Sequence, residues 1–180
     1  MNKILWVVVF SIFFVGCDSN KSESTFQGVT EKKNYIALGM QYLKESDIPR
    51  AIQSFDQAIK QDPKNLNNYM VLGEVYLRLR EYTRAVDTFS GAVLVDPNNG
   101  DAFYYLAISK RLKANVEKTV KSIQESKQEA VKAVQRSFEI LMQARDEQKF
   151  KRSVALLKSL ESDDMRPVQQ ALPPLLSAGK

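Results

Sequence analysis

Residues 32–65 and residues 66–99 carry the same pattern twice. Tyr35 recurs 34 residues later as Tyr69. At this interval, eight positions carry the same residue type in both copies. A fixed period between about 20 and 50 residues predicts stacked units that each bury a face against the next. The recurring residues are Tyr35, Leu38, Gly39, Tyr42, Ala51, Phe55, Ala58 and Pro63 in the first copy, and Tyr69, Leu72, Gly73, Tyr76, Ala85, Phe89, Ala92 and Pro97 in the second.

Each copy predicts two helices joined by a short turn. Tyr35, Leu38 and Tyr42 lie three or four residues apart, which places them on one face of a helix. Asp47, two residues before a proline, is typical of a second helix start, because its carboxylate caps free N–H groups and proline is tolerated in a first turn. Asp62 should end that helix, since the residue before a proline is driven out of helical geometry.

A glycine stands in the middle of the first helix of each copy, where it costs about 1 kcal/mol relative to alanine. Close helix packing explains such a cost. We therefore expect Gly39 and Ala51 to let their helices touch backbone to backbone, and Gly73 and Ala85 to do the same in the second copy.

The repeated pattern resembles the tetratricopeptide repeat, with Tyr in place of the usual Trp at the opening aromatic position. The resemblance implies an all-α fold: a TPR-like helical solenoid of antiparallel helix pairs with C-terminal capping helices. It places two well-matched repeats at 32–65 and 66–99. Two such repeats bury little surface by themselves, so further helices should stack on them.

Two interpretations remain for residues 100–167, where the pattern weakens. Asn99 should cap a third first helix, and residues 149–153 resemble residues 81–85, which predicts two degenerate repeats with the fourth at about 134–167. The alternative is one long helix, because an apolar helical stripe continues from Val116 to Leu141 without Gly or Pro. Helix pairs are the preferred interpretation, and residues 168–180 would form a C-terminal cap and tail.

Residues 1–16 predict a targeting segment. Lys3 precedes an apolar run over residues 4–15, which at about 1.5 Å per residue is too short to cross a membrane. A cleaved signal peptide is therefore favoured. The following residues, 14–17, resemble the lipobox of bacterial lipoproteins, with Phe14 where Leu is usual. This resemblance implies a diacylglyceryl anchor on Cys17, and the alternative is an incidental cysteine in an ordinary signal peptide.

Residues 17–31 are polar and predict a flexible tether, spanning on the order of 20 Å, that holds the repeats off the membrane. Asp18 resembles the signal that retains enterobacterial lipoproteins in the inner membrane. It favours an inner-membrane location facing the periplasm, and the outer membrane remains the alternative.

The chain has one cysteine and no histidine. This excludes disulfide frameworks, Ser-His and Cys-His nucleophile pairs and most zinc or copper sites. The pair Asp163-Asp164 is explained by a helix cap, and no phosphate-binding loop is present. We therefore expect no catalytic residues, no metal and no cofactor.

Charge divides the chain into two unequal parts. Residues 17–109 carry ten basic and twelve acidic side chains, whereas residues 110–180 carry fifteen and nine. The favoured function is a membrane-anchored scaffold or assembly factor that binds a protein partner of an envelope complex, for example pilus or secretion machinery. The basic part suggests an alternative, a module that binds polyanions or lipids. A non-catalytic adaptor that recruits an envelope protease or wall hydrolase is another alternative.

In the resembling family, first-helix residues outside the core line a concave groove. Family members that clamp a peptide carboxylate use Lys, Asn and Arg there, but Ile36, Met40 and Val71 stand at three of those places, and Asp101 would repel an anion. An apolar groove rimmed by charge instead favours an amphipathic helix as ligand. The predicted groove residues are Ile36, Met40, Leu43, Lys44, Met70, Glu74, Leu77, Arg78, Tyr104, Ile108 and Arg111.

A competing interpretation concerns the same surface. The segment at 168–176 is apolar enough to fill the groove from within the chain, and a degenerate repeat could also cover it.

Overall fold

The computed structural model describes residues 34–162 and 165–172. The predicted signal peptide, the tether and Asp163-Asp164 lie outside the described residues. The described part is all-α, as predicted, and contains no strand. Its helices are α1 (Tyr35–Lys44), α2 (Ile48–Gln61), α3 (Leu66–Arg78), α4 (Tyr82–Val95), α5 (Gly100–Ala114), α6 (Val120–Gln143), α7 (Glu147–Ser162) and α8 (Arg166–Gln170).

The first four helices form two hairpins, α1 with α2 and α3 with α4, and each hairpin packs on the next helix along the chain. The bounds of α4 fall one repeat period after those of α2 at both ends, and α5 begins one period after α3. This regular spacing and packing make the fold the predicted solenoid of helix pairs.

The same turn joins the two helices of each hairpin. Ser46 and Arg80 have φ values of 61° and 60°, and the next residue donates its N–H to the helix carbonyl five positions earlier. This pairing satisfies carbonyls that a helix end would otherwise leave open. Asp47 accepts a hydrogen bond of 3.1 Å from the N–H of Arg50, which confirms the predicted cap of α2.

Phe55 and Phe89 are fully buried, as expected for the repeat register. A Cβ atom on Gly39 would lie 2.5 Å from Phe55 Cε1, and one on Gly73 would lie 2.6 Å from Phe89 Cζ. Each glycine therefore makes room for a phenylalanine ring of the partner helix. This differs from the predicted backbone contact with Ala51, although Ala51 is itself buried.

Residues 120–143 form one helix of 24 residues. The preferred interpretation of 134–167 as a separate helix pair is therefore wrong, because no residue interrupts the helix near position 134. The apolar stripe is also shorter than predicted: Val116 and Val120 are 62% and 84% exposed, whereas Val134 and Leu141 are buried.

Helices α7 and α8 pack against earlier helices of the fold. Ser137 of α6 and Ser153 of α7 share a buried hydrogen bond of 3.0 Å, and two small residues facing each other let these helices approach closely. The short helix α8 has five residues. Its Val168 is fully buried within the same hydrophobic core as Leu77 and Leu112.

Candidate functional site

The predicted groove residues all lie on α1, α3 and α5, and we call this surface the groove face. Because the repeat period is fixed, each position on α1 has equivalents on α3 and α5. Met40, Glu74 and Ile108 occupy one such position. Met40 is 37% exposed, Glu74 is half-buried and Ile108 has no exposed surface.

A second position gives the same trend. Lys44 on α1 is exposed, Arg78 on α3 is half-buried and Leu112 on α5 is 6% exposed. The third position is half-buried at Ile36 on α1 and at Met70 on α3, and it is buried at Tyr104 on α5. The groove face is therefore open at the first repeat and closed at α5.

Five predicted groove residues are buried in the structure, and their expected role as ligand contacts is corrected accordingly. They are Leu43, Leu77, Tyr104, Ile108 and Arg111.

Helix α7 covers the beginning of α5. Asp101 accepts a hydrogen bond of 2.7 Å from Lys149 Nζ and forms a second ion pair with Arg152. The guanidinium of Arg152 lies over the ring of Tyr104, 4.4 Å from its centre. The hydrogen bond to Asp101 raises the pKa of Lys149. Asp101, which was expected to repel an anionic ligand, instead holds α7 in place.

The segment at 165–172 covers the other end of α5. Asn115, which follows α5, donates a hydrogen bond to the sulfur of Met165 at 3.8 Å and accepts one from Arg111. Val168 completes the contact with the core. The chain's own segment therefore covers this end of the groove face.

The middle of the groove face carries a half-buried charge. Burial raises the pKa of Glu74, and Arg78, 3.7 Å away, opposes that rise. Burial, followed by the charge of Glu74, also raises the pKa of Tyr105. The carboxylate of Glu74 thus lies between the open and the closed parts of the surface.

Sequence reasoning missed two polar contacts that shape this face. Asn68 is buried and donates hydrogen bonds of 2.9 and 3.1 Å to the carbonyls of Ala58 and Asp62, joining the first repeat to the second. The other is the cluster around Asp101. Its only sequence signal was the spacing of Lys149 and Arg152, which places two cations on one face of a helix.

Residues 42–108 match the family model of the tetratricopeptide repeat. The chain contains tetratricopeptide repeats. The match covers the first copy from Tyr42 onward, all of the second copy and most of α5. No curated protein matches the sequence.

Two solved structures share this repeat fold. The first tetratricopeptide repeat domain of Spaghetti (RPAP3), bound to an HSP90 peptide, is 17% identical; the similarity covers 72% of this chain and 89% of that one, with a TM-score of 0.54. A tetratricopeptide repeat protein of Thermus thermophilus is 14% identical, with coverage of 76% and 79% and a TM-score of 0.50. At these identities the likeness concerns the fold.

Tetratricopeptide repeats are protein–protein interaction modules and are generally not catalytic. Within residues 34–162 and 165–172, no three potential ligands among His, Cys, Asp and Glu lie close enough together to hold a metal ion. None of the described helices is long and apolar enough to cross a membrane.

Much of the positive charge that follows the repeats is paired. At least seven cations between residues 110 and 152 lie within 4 Å of a carboxylate, and these pairs leave less charge for a polyanion. They are Lys110, Lys113, Lys121, Arg136, Lys149, Lys151 and Arg152.

Proposed function

We propose that this protein is a membrane-anchored lipoprotein whose repeats scaffold an envelope complex by binding a partner at the open end of the groove face. The observation that carries this proposal is the exposure of Met40. The equivalent residue on α5, Ile108, is fully buried, so the position is apolar in both repeats but open only in the first.

The open end combines apolar and charged side chains. Ile36 and Met70 are half-buried beside the core, while Lys44 and Glu74 supply charge at the rim. An amphipathic helix fits such a surface, with its apolar residues on Met40 and its neighbours and its polar residues toward the rim. Methionine suits this role because its flexible thioether adapts to different partner side chains.

A carboxyl-terminal peptide fits the surface less well. The similar domain of Spaghetti was solved with an HSP90 peptide. In this chain, Ile36, Met40 and Val71 stand where carboxylate-clamping repeats carry polar or basic side chains. A free carboxylate would lose its hydration against these apolar side chains.

The anchor belongs to the same proposal. Cys17 follows an apolar signal core within a segment that resembles a lipobox, and the polar stretch up to residue 31 would act as the tether. The repeats would then face the periplasm, with Asp18 favouring the inner over the outer membrane.

The groove is tested with Met40→Glu and Met70→Glu combined in one chain, followed by crosslinking in native membranes and identification of captured proteins. The charges should abolish capture, because each carboxylate would be buried against the partner's apolar face. The matched control is Leu94→Glu with Val120→Glu, which places the same charges at sites 82% and 84% exposed and should leave capture intact. Unchanged capture by a folded groove variant would contradict the proposal.

The anchor is tested with Cys17→Ser. Removing the only thiol should leave a larger, unprocessed precursor and abolish labelling by fatty acid. Fatty-acid labelling at the wild-type level in this variant would contradict lipidation of Cys17.

A further inference from the structure

A cleft with a volume of about 400 Å³ lies between the segment at 165–172 and the groove face, and we call it the α8 cleft. The segment therefore covers this part of the groove face without filling it. Six of the residues that line the cleft are Leu77, Arg78, Tyr82, Leu112, Met165 and Leu172.

The covering segment resembles a docked ligand in its pattern. Met165, Val168 and Leu172 are spaced by three and four residues, which places them on one face of a helix. Helix α8 has only five residues, far fewer than a helix needs to be stable by itself in water. Its helical form therefore depends on the surface against which it lies, as in a peptide that folds into a groove.

The charges of the cleft do not match those of the segment. A terminal nitrogen of Arg78 lies 3.7 Å from Glu74, but Arg78 Nε is buried and has no hydrogen-bond partner among the described residues. Arg80 lines the same cleft. Residues 165–172 contain no carboxylate, and their one charged side chain is that of Arg166. A buried donor without an acceptor is costly, so the cleft suits an acidic occupant better than the segment that covers it.

We propose that residues 165–172 are an internal competitor that occupies the α8 cleft until an acidic amphipathic helix of the protein partner displaces it. That helix presents apolar residues at positions i, i+3 and i+7 and a carboxylate to Arg78. The inference rests on the proposed function, because it assumes that the partner binds as a helix on the groove face. It extends the binding surface from the open end at α1 to the covered end at α5.

Two labelled synthetic peptides test the proposal against the full chain. One has the sequence of residues 165–174, whose one charged side chain is that of Arg166, and the other carries Arg166→Glu. Val168→Glu in the protein should release the protein's own segment from the cleft, so that a larger fraction of the molecules has an open cleft. This variant should therefore bind the acidic peptide at least about 10-fold more tightly than the wild-type chain does. The acidic peptide should also bind more tightly than the unmodified one. Adding Arg78→Gln to the protein should remove that preference.

Hydrogen exchange of the wild-type chain provides a second test that does not depend on how Val168→Glu folds. A displaceable segment opens by itself, so the amides of 165–172 should exchange at least about 10-fold faster than those of α5, which open with the core. Equal protection in the two segments would show that α8 is a permanent structural cap and would overturn the proposal. A folded Val168→Glu chain that binds neither peptide would overturn it as well.

The outcome is separable from that of the proposed function. Peptide binding and exchange need no natural partner, whereas the groove variants report on capture in the membrane. Loss of peptide binding with intact capture would reject the internal competitor alone. If the peptides bind as expected but Met40→Glu and Met70→Glu do not reduce capture in native membranes, the open end of the groove face is rejected as the partner site.

Discussion

The first and third repeats use the same helix positions and expose them differently. Met40 and Ile108 lie two repeats apart at one position of the pattern, and Lys44 and Leu112 at another. The α1 residues are exposed, while their α5 equivalents are buried. Helix α7 contacts the beginning of α5 at Asp101, and the segment at 165–172 contacts its end at Asn115. The burial of a repeat position thus depends on what the chain places over it later, in addition to the motif that positions it.

The largest effect should come from the phenylalanines that are equally buried in the first and second repeats. Phe55→Ala and Phe89→Ala should each lower the free energy of unfolding by about 3–5 kcal/mol, through lost burial and the cavity left behind. Phe89→Ala should cost more, because Phe89 also stacks on Tyr105 of α5 at 5.4 Å, and such a pair adds about 0.5–1.5 kcal/mol. Urea unfolding measures both values. A Phe89→Ala protein as stable as the wild type would show that the repeat register is wrong.

An intermediate effect should come from the ion pairs that close α5. Asp101→Asn weakens the contacts with Lys149 and Arg152, and hydrogen bonds to charged groups contribute about 1.5–3 kcal/mol. Lys149 is partly exposed, so we expect the lower end of that range. Hydrogen exchange should speed up in α7 while remaining unchanged in α1 and α2.

The control for Asp101→Asn is Glu147→Gln. Glu147 pairs with Lys151 on the exposed face of α7, and such surface pairs contribute about 0–1 kcal/mol. Equal losses in the two variants would mean that α7 is not held through Asp101.

The smallest effect should appear in the pH dependence of stability. Burial raises the pKa of Glu74 above its ordinary value of 4.5, so the folded state holds this proton more tightly than the unfolded state does. The resulting stabilisation is present below pH 4.5 and is lost as the pH rises through the raised pKa of Glu74 in the folded state. The free energy of unfolding of the wild type, minus that of Glu74→Gln, should therefore fall across this window.

Asp47 in the first repeat should behave in the opposite way. The hydrogen bond from the backbone of Arg50 lowers the pKa of Asp47 below its ordinary value of 3.8. Its stabilisation is present above pH 3.8 and is lost as the pH falls through the lowered value. The corresponding difference for Asp47→Asn should rise with pH. Urea unfolding at a series of pH values measures both, and differences of the same sign would contradict these assignments.

The sequence predicted the repeated part well, because local chemistry determines it. Asp47 and Asp62 mark the ends of α2, and the burial of Phe55 and Phe89 follows from their recurrence. Asn99 caps α5 as expected, through a hydrogen bond of 3.0 Å from the N–H of Ala102.

The later part was harder because long-range contacts determine it. The turn between α6 and α7 has its positive φ at Arg145, three residues before the place that two further periods after Arg80 would give. A fixed period therefore misplaced the fourth helix pair. No local pattern reports that Asp101 pairs with α7 or that Val168 reaches the core, so the covered half of the groove face could not be separated from the open half.

The position of the covering segment along the chain has a consequence for synthesis. Leu112 lies on α5, whereas Val168, which closes over this end of the groove face, comes close to the end of the described chain. At about 5–20 residues per second, α5 is made roughly 3–11 s before the residue that shields it. Throughout that interval the nascent repeats present their whole apolar groove, and a chaperone that favours apolar surface would meet its widest target then.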